Sequence, residues 1–206
     1  MSKVSKKNNN TLYLALSLSA AHILCSPTMA QAHVEHGQAI GFLIGLKHPW
    51  SGLDHILAMI AVGIWGAQLG SPAMWILPIA FPMMMAVGGM MGLLGIPLPG
   101  VELGIAISAI VLGLMILLEL RVNLITTVFI VGFFAIFHGY AHGTELPPGQ
   151  NGLLYSMGFV VGTGCLHGIG ILIGLLSNYR FGNLLLRITG LFIMAMGCHF
   201  LWQAIA

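Results

Sequence analysis

Charge is what this chain has least of. Only 6% of its 206 residues are charged, seven Lys or Arg against five Asp or Glu, and Asp54 is the sole aspartate. A soluble domain carries about 25% charged residues, so an ordinary soluble fold is excluded. Cysteine is scarce too. Cys25 lies in a segment expected to be removed, which leaves Cys165 and Cys198 in apolar surroundings and excludes a disulfide framework. There is no Gly-rich nucleotide loop of the Walker type, hence no ATPase within the chain. The formal charge of +2 rests on Lys3, Lys6 and Lys7. Without them the chain is close to neutral, and neither nucleic acid nor an anionic surface is implied as a partner.

What is present is apolar. At 58% hydrophobic residues with 28 glycines, the composition is that of an all-α polytopic membrane protein. Residues 1–32 have the parts of a secretory signal peptide: the three lysines, an apolar run from Leu12 to Leu24, and small residues before a cut after Ala32 or Ala30. An uncleaved first helix is the alternative. The bulk of Ile23 and Leu24 speaks against a lipoprotein site at Cys25. Residues 33–206 are then expected to form a single transmembrane helical domain beginning His33-Val34-Glu35-His36, where a free α-amine beside imidazoles could chelate a cation. Ala39 to Leu46 is too short to span and reads as a cap, a re-entrant piece or a helical extension kinked at Pro49.

Six segments have spanning length: Pro49 to Leu69, Ala73 to Leu94, Val101 to Leu118, Asn123 to His142, Gly152 to Leu176 and Leu184 to Ala204. A cleaved signal leaves the mature N-terminus outside the membrane. The loops with Arg121 and Arg180, and Arg187, then fall on the cytoplasmic side, as the positive-inside rule requires. Lys47 is the exception.

Ionisable groups within spans are costly and mark function. The first span opens with His48-Pro49-Trp50-Ser51-Gly52-Leu53-Asp54-His55. Proline suits a first helical turn, with His48 as cap. His48 and His55 would then share a face roughly 10 Å apart along the axis, and Asp54 would lie about 100° from His55. One helix cannot close a site with these groups. The fourth span, running the other way, ends in Phe137-His138-Gly139-Tyr140-Ala141-His142-Gly143-Thr144-Glu145, with His138, His142 and Glu145 along one line. Topology therefore brings the two clusters to matching depth.

His167 in the fifth span is either an inner ligand or a core histidine bonded to a neighbouring helix. Cys198 and His199 read as packing, and so does the methionine-rich stretch Met83 to Met91. Histidine with few carboxylates suits nickel, cobalt, zinc or copper, whereas magnesium and calcium favour oxygen alone.

His48-Pro49, Gly52 and Asp54-His55, followed by Met59, Val62 and Gly63, resemble the signature of the HupE/UreJ family of bacterial nickel and cobalt permeases. The Phe137 to Glu145 run is similar to that family's second motif. The resemblance implies metal-handling roles for His48, Asp54, His55, His138, His142 and Glu145. It also implies uptake of Ni²⁺ or Co²⁺ for a hydrogenase, a urease or cobalamin synthesis, with no resident cofactor. A dication entering a negative interior is favoured by about 4.6 kcal/mol at 100 mV, so electrical driving force suffices. The expected order is collection near His33 and His36, partial dehydration between Asp54, His55, His138 and His142, and passage inward beside His167. Two readings from other classes remain. One is an intramembrane zinc hydrolase resembling ceramidase-like proteins, built on Ser51, Asp54, His138 and His142; the other is a metal-sensing or accessory membrane subunit.

Overall fold

A computed structural model of the chain describes residues 38–146, 149 and 151–206. The expected signal peptide and its cleavage point, and His33 and His36, lie outside the described residues. Every regular element among the described residues is helical: α1 Gln38–Lys47, a 3-10 turn His48–Trp50, α2 Leu53–Leu69, α3 Ala73–Leu93, α4 Val101–Leu117, α5 Leu124–Thr144, α6 Gly152–Gly174 with a closing turn Leu175–Asn178, and α7 Gly182–Ile205.

Helices occupy all six expected segments, but not all are long enough to span. Among the described residues, four helices are long and apolar enough to cross a membrane, and a fifth span is reached if α1 and α2 count as one broken span. Helix α4 has 17 residues, about 26 Å against a hydrocarbon thickness of about 30 Å.

The start of α2 departs from expectation. Helix α1 and the turn after it form a segment bent by 79° from α2, and the break falls at Ser51-Gly52 rather than at Pro49. Pro49 sits in the 3-10 turn, while Gly52 is extended (φ −106°, ψ 125°) and interrupts the helical ladder. His48 and His55 are therefore not two points on one helix face.

Helix α2 is the axle of the bundle. From Leu57 to Ala67 it is buried except at Ile60, which is possible only for a segment apolar on every side. The other helices pair closely: α3 with α5, α4 with α7, and α6 with both α2 and α1. Glycines make each contact. A Cβ at Gly88 would meet the carbonyl of Ile136, one at Gly139 the carbonyl of Met85, and one at Gly63 the carbonyl of His167. In lipid, where helices gain little by hiding apolar surface from one another, such backbone approach is a principal source of attraction.

Candidate metal centre

The bend at Gly52 builds half of the site. Ser51 ties the turn twice, its N–H donating to the His48 carbonyl at 3.0 Å and its hydroxyl to the same oxygen at 2.6 Å. The chain then re-enters a helix, with Ile56 N–H donating to the Gly52 carbonyl at 3.0 Å. Because the chain turns here, His48 lies beside the mouth of α2 instead of a turn above it. Gly52 has a second role: a Cβ there would stand 2.7 Å from Asp54 Oδ1, so the carboxylate occupies the space a side chain would fill.

Helix α5 supplies the other half. His48 Nε2 lies 2.8 Å from His142 Nδ1 and 3.2 Å from Glu145 Oε2, and His142 Nδ1 lies 3.4 Å from the same oxygen. These three atoms form a triangle suited to one cation. An ion bound at about 2.1 Å to nitrogen and oxygen ligands holds neighbouring ligand atoms roughly 3 Å apart. His142 uses its other nitrogen as well, with Nε2 2.9 Å from His55 Nδ1. It thus links the two halves. Helices α2 and α5 do not pack along their lengths; imidazoles join them.

A cavity of about 190 Å³ lies over these groups, lined by His48, Asp54, His55, His138, His142 and Glu145, and by Glu102 at the start of α4. Three carboxylates therefore face one space, enough to offset a dication. A larger cavity of about 350 Å³ between α3, α5 and α6 reaches His142 and Tyr155 but is otherwise almost wholly apolar. The carboxylates line only the smaller of the two.

Hydrogen bonds fix which nitrogen is available on the deeper histidines. The Ser108 hydroxyl donates its one proton to the Ile105 carbonyl at 2.6 Å, so toward His138 Nε2, 2.9 Å away, it can only accept. His138 then carries its proton on Nε2 and a lone pair on Nδ1. His167 Nδ1 donates to the Met59 carbonyl at 2.9 Å, leaving the lone pair on Nε2. A bond from the opposite N–H is how ligating histidines are normally oriented. Glu145, beyond the end of α5, has its carboxyl pulled down to about 2 by hydrogen bonds to His142 and then His48, against partial burial. It stays ionised throughout the neutral range. Phe159 of α6 walls the cluster, its ring centroid 4.7 Å from that of His142, 5.6 Å from His55 and 6.0 Å from His48.

The expected ligands are thus divided. His48, His142 and Glu145 meet directly, His55 adjoins them, Asp54 and His138 line the same cavity, and His167 lies deeper against α2. Cys198 and His199, expected as packing, are exposed on the apolar outside of α7, and of the methionines from Met83 to Met91 only Met85 is buried. Three groups were not anticipated: Glu102, Ser108 and Phe159. Glu102 was accessible to the topology argument used for α5, since alternating spans put the start of the third at the same membrane face. Ser108 and Phe159 carry no sequence signal that separates them from core residues.

The sequence profile of the family described as HupE / UreJ protein matches residues 21–200. A curated relative, "Protein HupE" of Rhizobium leguminosarum bv. viciae, is 45% identical over 167 residues, covering 81% of this chain and 87% of the relative. No solved structure matches the chain.

Proposed function

The chain belongs to the HupE/UreJ family, and from that premise we propose that it is a permease carrying Ni²⁺ or Co²⁺ inward across the bacterial cytoplasmic membrane, without an ATPase of its own. The observation that carries this reading is the triangle of His48 Nε2, His142 Nδ1 and Glu145 Oε2 at one end of an apolar helical bundle. His55, His138 and His167 continue from it toward the interior. A resident structural ion would be enclosed by four ligands, whereas Glu145 is exposed and the triangle borders an accessible cavity. In this reading His33 and His36 concentrate the ion. Asp54, Glu102 and Glu145 balance its charge while water is exchanged for imidazole nitrogen, and His55 and His138 receive it.

The zinc hydrolase reading, built on Ser51, Asp54, His138 and His142, has less support, because the Ser51 hydroxyl donates to the His48 carbonyl and His138 turns its Nε2 to Ser108. The test is metal accumulation by cells expressing the protein, with nickel and cobalt compared at trace concentration. Uptake that depends on expression and fails with Asp54→Asn is expected; equal uptake with and without the protein overturns the reading.

A further inference from the structure

Beneath the outer cluster, the seam between α2 and α6 holds polar atoms that the protein leaves without partners. His55 Nε2, Thr163 Oγ1 and His167 Nε2 are all buried and make no hydrogen bond among the described residues. Thr163 and His167 are 0% and 1% exposed, and buried polar groups in such surroundings destabilise a fold unless something binds them.

Thr163 is the informative one. A threonine in an apolar helix ordinarily returns its hydroxyl to a carbonyl three or four residues back, and here Thr127 does so to Asn123, Thr144 to Ala141 and Thr189 to Leu185. Thr163 does not, although such a carbonyl is within reach of any helical threonine. It lies four residues before His167, so the two side chains are neighbours on one face of α6. That face carries Gly170 a turn further on and packs against Gly63 of α2. The Met59 carbonyl holds His167 with its Nε2 lone pair free, which is the state a metal ligand needs.

We propose that Thr163 and His167 form a second, deeper metal station, one step beyond His55 on the path inward. The proposal rests on the permease reading for its cargo, and on the two orphaned atoms for its position. The station has a hydroxyl and a neutral imidazole but no carboxylate, since Asp54, Glu102 and Glu145 all line the outer cavity. A dication here is held weakly and moves on. The outer cluster selects and dehydrates; the deeper pair relays.

Two measurements on the full chain test this. In cells with equal membrane levels of protein, Thr163→Val should lower maximal Ni²⁺ uptake about tenfold and change the half-saturating concentration less than about twofold. Thr163→Ser, which keeps the hydroxyl, should restore it. Threonine that only fills space would be replaced by valine without loss. In detergent-purified protein, Thr163→His should create a tight i,i+4 histidine pair with His167 and retain one more Ni²⁺ per chain than wild type, an increment lost on adding His167→Leu. Valine at full activity, or no additional ion with the histidine substitution, overturns the deeper station. A wild-type protein that moves neither metal overturns the permease reading, and the binding measurement then decides the deeper station by itself.

Discussion

His142 is the residue on which the two halves of the site depend, because its Nδ1 faces His48 and Glu145 while its Nε2 faces His55. His142→Ala removes a ligand and the link at once, and should reduce metal affinity by more than the ~10–100-fold typical of losing a supporting partner; isothermal titration of purified protein with Ni²⁺ checks this. Insertion should persist, since fewer polar groups are then buried in the membrane. Gly52→Ala acts more gently, pressing on Asp54 Oδ1, and should weaken uptake while leaving membrane levels normal. For pH the sign is fixed by Glu145. A carboxyl held near 2 contributes its charge fully above its ordinary value near 4.5 and loses it only as pH falls toward 2. Any loss of binding between pH 7 and 5 must come from imidazoles, which bind metal only when unprotonated. Glu145→Gln should accordingly lower affinity throughout pH 5 to 7 yet keep the acid-side loss, read by Ni²⁺ titration across that window; a variant whose binding no longer falls toward pH 5 would mean that the carboxylate itself titrates there.

At the scale of elements, helix positions were legible because long apolar runs broken by proline and glycine allow few other readings. The bend was not legible, because Pro49 is as acceptable in a first helical turn as in the 3-10 turn it adopts, and only the extended backbone of Gly52 decides between them. Partner choice was equally hidden. Gly88 and Gly92, and Gly139 and Gly143, announce close helix contact by their spacing, yet nothing in sequence says that α3 and α5 choose each other. That the histidines of the first and fourth spans adjoin was legible from topology. That the two spans meet through side chains alone was not. A disulfide needs Cα atoms within roughly 7 Å, which these separately packed helices do not favour, whereas an ion reaches further. Cysteines replacing His55 and His142, in a background lacking Cys165 and Cys198, should therefore share a bound Cd²⁺ while oxidising poorly. Neither cadmium binding nor cross-linking in correctly inserted protein would separate the two clusters. Gly139→Leu tests the packing beside them: a side chain driven into the Met85 carbonyl should cost about 3 kcal/mol or more, seen as lost protein in the membrane.

Over the whole molecule, the three tight helix pairs each bring part of the site. The α2–α6 pair and the turn before it carry His48, Asp54 and His55, the α3–α5 pair carries His138, His142 and Glu145, and the α4–α7 pair carries Glu102 and Ser108. Between pairs, at the end bearing the site, lies the cavity; at the opposite end the α2–α6 and α4–α7 pairs are joined. There Trp65 Nε1 donates to the Leu120 carbonyl at 3.1 Å and Gln68 Nε2 to the Ile116 carbonyl at 3.3 Å, both linking α2 to the end of α4 or the residues just after it. In the proposed permease reading the second end opens after the first has loaded, so these two bonds should resist release. Each is worth about 1 kcal/mol, and removing one shifts an opening equilibrium roughly fivefold. Trp65→Phe keeps the ring and deletes the donor. With Ile116→Cys, fully buried here, as reporter in an otherwise cysteine-free chain, a membrane-impermeant thiol reagent applied from the Leu120 side should label about fivefold faster after Trp65→Phe, and faster again with Gln68→Leu added. Labelling unchanged by either substitution would mean that this end does not open there, and the exit would have to be sought between other pairs.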